Sequence, residues 1–209
     1  MHDPDCVLCG DLASRGGRLD LGDGLALAAD AAPLLPGHAL LFTTSHLPSF
    51  AASSPAQMVA AEEVLQRLCG LGRYAAGAVL VFEHGTTEAT GGSGCVDHAH
   101  IHILPIPDPL SERIEPEPRV PETIATLGPR RPFDRLPMLA GQAYFWVAGR
   151  HLQMLTIVPR SPERQVLRRI VATLLGLPRH RTWDLYDVDA ASSTTDELRA
   201  LLPDVLARR

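Results

Sequence analysis

The stretch DHAHIHILP, residues Asp97–Pro105, places three histidines at alternate positions between apolar residues. Successive side chains of a β-strand point to opposite faces, so this spacing predicts a strand with one apolar face and one imidazole face. The histidines are His98, His100 and His102, and the apolar residues are Ala99, Ile101 and Ile103. Because imidazoles that lose water need hydrogen-bond partners, we expect the apolar face on the core and the histidine face along a cleft.

The length of this strand separates the roles of its histidines. At about 3.3 Å per residue, His98 and His102 lie about 13 Å apart along the backbone, whereas neighbours on the face lie about 7 Å apart. One metal ion therefore cannot bind all three. We expect His98 to serve a site at one end of the strand and His102 a site at the other, with His100 between them.

Candidate partners for His98 are Cys6 and Cys9 in CVLC, which have the spacing of zinc ligands, and His46 in TTSHLP, which follows a strand end. Two cysteines and two histidines make a closed, tetrahedral zinc site. A redox pair and coincidence are the alternatives. A redox CxxC is expected between a strand and a helix, whereas this pair lies close to the N-terminus, so we favour structural Zn²⁺.

A glycine-rich sequence, GGSG at residues 91–94, precedes His100 and His102. Backbone N–H groups of such a loop can converge on an anion, and phosphate is the natural guest. A neutral imidazole, with an unperturbed pKa of about 6.5, is a competent nucleophile toward phosphorus, and a second, protonated one stabilises the non-bridging oxygens. A single histidine on a strand is usually structural, but three beside such a loop indicate function.

The flanking sequence predicts an α+β fold with a mostly antiparallel sheet and flanking helices. Apolar runs predict strands over Leu25–Asp30, His38–Thr43 and Ala78–Glu83, and two more in QAYFWVAG and LQMLTIVP. Ser54 followed by Pro55 predicts the start of an amphipathic helix. Near the C-terminus, Thr194 followed by Glu197 fits a capping box.

Three segments follow from this pattern. Residues 1–106 are expected to form the core, residues 107–137 a proline-rich loop or lid, and residues 138–209 an α/β extension packed on the core. Arg168 and Arg169, in the helix of that extension, would reach an anionic substrate if the helix folded over the cleft, but helix arginines are usually solvated, so we expect both at the surface.

Composition excludes several classes of function. The net charge of -5 is spread along the chain without a basic run, which argues against polymeric nucleic acid as a partner. All 19 basic residues are arginine, and without lysine there is no Schiff-base chemistry and no P-loop. No basic and apolar leader and no apolar run of about 18 residues is visible, so we expect a cytoplasmic protein without a membrane partner.

The sequence HAHIHIL resembles the HxHxHxx motif of the histidine triad (HIT) superfamily. PGH at Pro36–His38, with Asp30 eight residues before His38 and His46 eight residues after it, is similar to the spacing in that family. The resemblance covers residues 6–105 and implies a HIT-like fold. In family members with an N-terminal CxxC, zinc is bound at the positions that match Cys6, Cys9, His46 and His98.

The resemblance also implies roles for the remaining motif residues. His100 matches the nucleophile, His102 the residue that contacts the α-phosphate, and Asp30 the acidic residue that hydrogen-bonds ribose hydroxyls. The implied activity is cleavage of a nucleoside monophosphate from a leaving group through a covalent nucleotidyl-histidine. Hydrolases, phosphorylases and transferases of the family differ in the acceptor that then attacks.

The chain departs from the family pattern before the triad. Glu83 and Gly85 stand where an Asn and a Gly are common, and Ser93-Gly94-Cys95 replaces Gly-Gln-Ser. His84 is a candidate substitute donor to phosphate, and Cys95 is read as a small buried residue rather than as a catalytic thiol. The candidate substrate-binding residues are Asp30, His84, Gly92, Ser93, Gly94 and Cys95.

Two rival functions remain open at this point. One is a nucleotide-binding regulatory protein with little turnover, and the other is a metal-dependent hydrolase whose triad binds a catalytic metal. For both the enzyme that cleaves nucleotides and the nucleotide-binding protein, the expected partner is a small nucleotide or nucleotide conjugate. HIT domains are frequently homodimers, but the C-terminal extension is long enough to cover the usual surface, so both quaternary states stay open.

Overall fold

The computed structural model describes residues 6–10, 17–87, 97–106, 124–126, 133, 136–149, 153–157, 165–177 and 186–207. Within these ranges eight strands form one sheet, in the order β1-β2-β3-β5-β4-β7-β8-β6, with every neighbouring pair antiparallel. The strands are β1 (Leu19–Gly22), β2 (Leu25–Ala29), β3 (Ala39–Thr43), β4 (Ala78–Gly85), β5 (His100–Ile106), β6 (Ile124–Thr126), β7 (Tyr144–Ala148) and β8 (Gln153–Ile157).

Four helices and two short 3₁₀ turns flank the sheet within the same ranges. The helices are α1 (Pro55–Leu68), α2 (Gly72–Ala75), α3 (Val166–Leu174) and α4 (Val188–Leu206), and the turns are Phe50–Ala52 and Leu136–Leu139. The prediction of an α+β fold with a mostly antiparallel sheet is confirmed. None of the described helices combines the length and the apolar character needed to cross a membrane.

The C-terminal strands continue the sheet that the first half of the chain begins. Strand β7 pairs with β4 over Val81–Gly85, and β8 pairs with β7 on its other side. The two halves of the chain therefore share one hydrogen-bonded sheet, in which β5 and β4 are central and β7 lies on the other side of β4.

The two faces of β5 pack against different parts of the chain. Ala99, Ile101 and Ile103 are almost fully buried in the main apolar core, beneath α1 and α4, which confirms the predicted apolar face. On the opposite face, Leu104 and Ile106 pack with residues of α3. The N-terminal turn that contains Cys6 and Cys9 covers β2 and β3 on that same side. The histidine face therefore lies between α3 and this turn.

Helix α1 begins as the sequence predicts. Ser54 is the N-cap: its side chain accepts a hydrogen bond from the backbone N–H of Gln57, and the Gln57 side chain accepts one from the backbone N–H of Ser54, forming a capping box. Met58, Ala61, Leu65 and Leu68 are buried on its inner face. Burial of this stripe holds the helix on the sheet.

The predicted capping box at Thr194 is wrong. Helix α4 begins at Val188, where the Asp187 carboxylate accepts a hydrogen bond from the backbone of Ala190. Thr194 lies buried inside the helix, and its hydroxyl accepts a hydrogen bond from the backbone N–H of Gly37 at 3.2 Å. Thr194 is thus a contact between α4 and the loop before β3.

One carboxyl lies on the apolar face of the sheet. Glu83 of β4 is buried and accepts hydrogen bonds from the hydroxyl of Tyr144 at 2.5 Å and the backbone N–H of Phe50 at 2.8 Å. Burial raises the pKa of Glu83 to about 7, although these two hydrogen bonds oppose the rise. Glu83 therefore differs from an ordinary surface carboxyl, which is ionised well below neutral pH.

Candidate functional site

Four sulfur and nitrogen ligands meet at the first histidine of the triad. The Cys6 and Cys9 sulfurs lie 3.3 and 3.5 Å from His98 Nδ1, and the Cys9 sulfur lies 3.5 Å from His46 Nδ1. All four ligand atoms lie within 4.8 Å of one another. With zinc bonds of about 2.3 Å to sulfur and about 2.0–2.1 Å to nitrogen, ligands of a tetrahedral site lie about 3.3–3.8 Å apart. The spacing therefore fits a zinc ion.

The surroundings of His98 also fit metal binding. Its Nε2–H donates to the carbonyl oxygen of Thr43 at 2.6 Å, so its Nδ1 carries a lone pair that faces the two sulfurs. A backbone carbonyl that fixes the outer ring nitrogen is a common second partner of zinc-bound histidine. The structure brings together the four residues that the sequence grouped as metal ligands, and the cluster could bind a metal ion.

The redox alternative for the CxxC pair is disfavoured by its environment. Both cysteines are buried, and burial raises the pKa of Cys6 to about 11. Redox-active cysteines instead sit in exposed, electropositive surroundings that lower the thiol pKa. A cation between the sulfurs offsets the cost of ionising them, which again favours metal binding.

His100 is held in one tautomer by the backbone of the preceding histidine. Its Nδ1–H donates to the carbonyl oxygen of His98 at 2.6 Å, which leaves the lone pair on Nε2. Burial lowers the pKa of His100 to about 3. His100 therefore presents an uncharged ring with one unshared nitrogen lone pair.

A second chain of contacts fixes the tautomer of His102. The backbone N–H of Leu34 donates to His38 Nδ1 at 3.1 Å, so the neutral His38 ring carries its proton on Nε2. His38 Nε2–H in turn donates to His102 Nδ1 at 3.0 Å. The remaining proton of a neutral His102 therefore lies on Nε2, where it can be donated to a ligand.

The position of His102 is set by aromatic neighbours. Its ring stacks on Phe82 of β4 at a centroid distance of 4.5 Å and meets the ring of His100 edge to face at 5.0 Å. Burial lowers the pKa values of both His38 and His102, that of His38 to about 3. The rings of His38, His100 and His102 are thus uncharged near neutral pH.

Beneath the histidine pair lies a buried ion pair between Asp30, just after β2, and Arg168 of α3. Arg168 Nη1 donates to Asp30 Oδ2 at 2.9 Å, and its other terminal nitrogen donates to the carbonyl oxygen of Ala32. The backbone N–H of Ala32 donates to Asp30 Oδ1 at 2.8 Å. Asp30 Oδ2 also lies 3.5 Å from His102 Nδ1 and 3.6 Å from His38 Nε2.

The charge state of Asp30 follows from these neighbours. Burial alone would raise the pKa of this carboxyl, but His38, His102 and Arg168 together hold it well below its usual range. Asp30 is therefore an ionised, buried carboxylate whose counter-charge is the Arg168 guanidinium. The expectation that Arg168 lies at the surface is wrong, since its side chain is 3% exposed.

The other expected substrate-binding residues are placed less completely. His84 of β4 packs its ring edge to face against Phe145 at 4.7 Å, and burial lowers its pKa to about 4, with Asp97 opposing. Its buried Nε2 has no hydrogen-bond partner among the described residues. Gly92, Ser93, Gly94 and Cys95 lie outside the described residues.

A catalytic metal on the second half of the triad is disfavoured by Arg168. Asp30, His38 and His102 bring three possible ligand atoms within 4.8 Å of one another. However, the guanidinium already binds Asp30, and a second cation at that carboxylate would be repelled by it. The two clusters therefore suit different tasks, metal binding at His98 and uncharged hydrogen bonding at His102.

Sequence reasoning assigned no role to His38 and expected Arg168 at the surface. The PGH sequence and the spacing from Asp30 single out His38, but neither shows that its ring contacts His102. A signal for Arg168 was present in α3, because Arg168 lies three and four residues before Val171 and Ala172, which are buried. That spacing puts Arg168 on the inner face of the helix.

No protein-family profile matches the chain, and no curated protein matches its sequence. Parts of several solved structures are similar to it at low identity. A HIT-like protein from Bartonella henselae, involved in cell-cycle regulation, is 18% identical with a TM-score of 0.38, over 51% of this chain and 84% of that one. A hypothetical histidine triad nucleotide-binding protein from Sulfolobus tokodaii is 16% identical with a TM-score of 0.39, over 60% and 79%.

Yeast Ap4A phosphorylase is also similar, in two crystal structures. The complex with AMP is 20% identical with a TM-score of 0.43, over 66% of this chain and 58% of that one. The complex with Ap4A is 16% identical with a TM-score of 0.41, over 88% and 73%. These matches include the HIT-like proteins that the histidine motif resembles. With TM-scores below 0.5 these likenesses carry neither the fold nor the chemistry, and both rest on the residues of this chain.

Proposed function

We propose that this chain catalyses nucleotidyl transfer, in which a nucleoside monophosphate is cleaved from a leaving group and passed to an acceptor. The observation that carries the proposal is the fixed tautomer of His100. Its Nδ1–H is bound to the carbonyl oxygen of His98, so its Nε2 lone pair is available to attack phosphorus. Composition without lysine leaves histidine as the natural nitrogen nucleophile of the site.

The first step forms one bond and breaks one. His100 Nε2 attacks the α-phosphorus, the bond from phosphorus to the leaving group breaks with its electron pair, and the leaving group takes up a proton from solvent. The positive charge that develops on the His100 ring is stabilised by the hydrogen bond from Nδ1 to the His98 carbonyl. In the second step water, phosphate or another acceptor attacks phosphorus and the bond from phosphorus to Nε2 breaks. Nε2 recovers its lone pair, and the proton that the acceptor carried passes to solvent.

His102 is proposed to stabilise the phosphoryl oxygens during both steps. The contacts from Leu34 through His38 leave the Nε2–H of His102 as a donor beside the nucleophile. A donor that is held in place before the reaction needs no reorganisation when charge develops. His84 and the backbone of residues 92–94 are proposed as further donors to phosphate.

The Cys6, Cys9, His46 and His98 cluster is proposed to hold structural Zn²⁺. Bound there, the ion would supply rigidity rather than a reacting group, because all four protein ligands close a tetrahedral site. His98 links this cluster to the chemistry, since its ring faces the sulfurs and its carbonyl oxygen holds His100. A metal ion that fixes the His98 ring would therefore also fix the His98 carbonyl oxygen, which orients the His100 ring.

Trapping the covalent intermediate tests this proposal. The full chain is incubated with adenosine and guanosine phosphoramidates, dinucleoside polyphosphates and nucleotide sugars, with and without inorganic phosphate, and examined by intact-mass spectrometry. We expect a nucleoside monophosphate adduct on the wild type that is absent from His100→Ala. His102→Ala serves as the matched control, because it keeps the nucleophile and should form the adduct more slowly.

Two outcomes would contradict the proposal in different ways. Nucleotide binding without adduct or product would favour the nucleotide-binding protein with little turnover. An adduct that persists in His100→Ala would assign the nucleophile to another residue.

Specificity for the leaving group is proposed to reside in the proline-rich segment 107–137. Deleting residues 113–131 should change the preference among the probes above more than it changes the rate of adduct formation at His100. Unaltered preference would contradict this assignment.

A further inference from the structure

Helix α3, in the C-terminal half of the chain, contributes one buried charge to the histidine site. Arg168 reaches from α3 to Asp30 and to the carbonyl oxygen of Ala32, on the loop between β2 and β3. Leu167, Val171 and Ala172 pack this helix against residues of β4, β5 and β7. The guanidinium is therefore held by packing on one side and by hydrogen bonds on the other.

Both oxygens of the Asp30 carboxylate are engaged within the protein. Oδ1 accepts from the backbone of Ala32, Oδ2 accepts from Arg168, and the residue is 6% exposed. A carboxylate in this position is poorly placed to bind ribose hydroxyls, the role that the family resemblance implies for Asp30. Besides Arg168 and the backbone of Ala32, the polar groups nearest to it among the described residues are the rings of His38 and His102.

We infer that Arg168 is a positioning residue that acts through Asp30 to keep the His38–His102 pair uncharged and the donor proton of His102 on Nε2. The role of His102 in this inference rests on the proposed function. The tautomer and charge of the pair can be measured without any substrate.

The physical reason is the balance of charge beneath the two rings. A buried carboxylate beside two imidazoles attracts a proton onto them, unless a cation offsets its charge. If the pair took up that proton, His102 Nδ1 would become a donor toward Asp30, and the hydrogen bond from His38 Nε2 to His102 Nδ1 would be lost. Arg168 supplies the offsetting charge and so preserves that hydrogen bond.

Within the described part of the chain, the groups that face the pair belong to this network. Asp30 approaches from the end of β2, His100 from β5 and Arg168 from α3, while β4 contributes the uncharged ring of Phe82. Among the described residues, Arg168 is thus the cation that the pair meets. Its removal should change the titration of the pair more than the substitution of any other described arginine.

Nuclear magnetic resonance of ¹⁵N-histidine in the full-length, zinc-loaded chain tests the inference. The two-bond proton–nitrogen correlations of each ring report its tautomer and its charge across a pH titration. We expect Arg168→Met to raise the protonation midpoint of the His38–His102 pair by about one pH unit or more. Arg168→Lys keeps the positive charge and should titrate like the wild type.

Two further variants separate this role from a merely structural one. The double variant Asp30→Asn/Arg168→Met removes both charges, so its midpoint should return to the wild-type value. Arg169→Met changes the adjacent arginine of α3 and should leave the titration unaltered. Zinc content and circular dichroism establish that each variant is folded.

An unchanged midpoint in Arg168→Met, or a raised midpoint that persists in the double variant, overturns the inference. If Arg168→Met does not fold, Arg168→Lys and the double variant decide the test. Arg168→Lys and the double variant must then both fold and titrate like the wild type, and failure of either overturns the inference. Because these readouts need no turnover, an inactive chain would contradict the proposed function and leave this result standing.

Discussion

The two faces of strand β5 carry residues of opposite character at adjacent positions. On one face Ile101 and Ile103 are fully buried among apolar side chains from several elements. On the other face His98, His100 and His102 each have a particular partner for a particular ring nitrogen. The apolar face is stabilised by the area of surface that it buries, whereas the histidine face is stabilised by directional hydrogen bonds.

This difference teaches what each face tolerates. Burial of apolar surface is non-directional, so a side chain of similar volume can replace another at modest cost. A ring nitrogen that must carry a lone pair has no such substitute, because its partner fixes where the proton resides. Substitutions on the first face should change stability, and substitutions on the second should change metal binding or chemistry.

The largest effect is expected at the metal cluster. Cys9→Ser removes a thiolate, and structural zinc contributes on the order of 10 kcal/mol in small zinc domains, which is comparable to the whole stability of a typical domain. We expect the variant to lose bound zinc and most of its folded population. Elemental analysis and thermal unfolding measure both quantities.

Cys69→Ser is the matched control for this change. Cys69 is half-buried at the end of α1 and lies outside the cluster. It should retain zinc and change the unfolding free energy by about 1 kcal/mol or less. A Cys9→Ser protein as stable as Cys69→Ser would remove the metal site from this account.

The comparison between faces is tested most directly by two neighbours on β5. Ile103→Ala should lower the unfolding free energy by about 2–5 kcal/mol through loss of buried surface and creation of a cavity. His102→Ala should lower the rate of adduct formation by roughly 10²–10³-fold, the typical cost of one preorganised donor, with a smaller effect on stability. Denaturant unfolding and single-turnover kinetics on both variants separate the two outcomes.

The buried carboxyl of the apolar face gives that face its own pH dependence. The pKa of Glu83 is raised from 4.5 to about 7, so its contribution to stability is complete below about pH 4.5 and is lost as pH rises through 7. A shift of this size corresponds to about 3 kcal/mol. Wild type should therefore lose about that much more unfolding free energy than Glu83→Gln between pH 4.5 and 8.

The difference between the two unfolding curves is the quantity to measure, since other groups titrate identically in both proteins. If wild type and Glu83→Gln keep a constant difference across that range, Glu83 is ionised throughout. Glu83 would then resemble Asp30, as a buried carboxylate that stays ionised because nearby groups stabilise its charge.

The smallest effect is expected at the start of α1, which covers the apolar face. Ser54→Ala removes the acceptor for the backbone N–H of Gln57 and should cost about 1 kcal/mol. Ser54→Asp keeps an acceptor and should retain most of the stability. Both variants should bind zinc and form the adduct normally, and a changed zinc content in either would show that the faces are coupled.

The alternation of histidine and apolar residues was enough to predict how β5 presents its two faces. The capped helix α1 and the strands from Leu25 to Glu83 were predictable for the same reason, since turn residues and periodicity act locally. The gathering of Cys6 and Cys9 with His46 and His98 was also predicted, because ligand type and strand length restrict the choice of partners. Zinc itself stays a prediction.

The partners of the second histidine site could not be predicted in the same way. Arg168 lies 138 residues from Asp30, and only the packing of α3 on the sheet brings the two together. The contact of His38 with His102 depends on the register between β3 and β5. Such contacts are set by tertiary structure, which local patterns do not specify. The misplaced capping box at Thr194 has a different, local origin, because Asp187 already caps the helix one turn before Ala191.

The pairing of β4 with β7 bears on how the chain emerges from the ribosome. Until residues 144–148 have been synthesised, one edge of β4 has no strand beside it, and Glu83 lacks the hydroxyl of Tyr144. An open edge of this kind invites pairing with other chains. We therefore expect nascent chains stalled before residue 144 to depend on chaperones, and a gene split after residue 106 to yield an aggregating first product unless the second is made beside it.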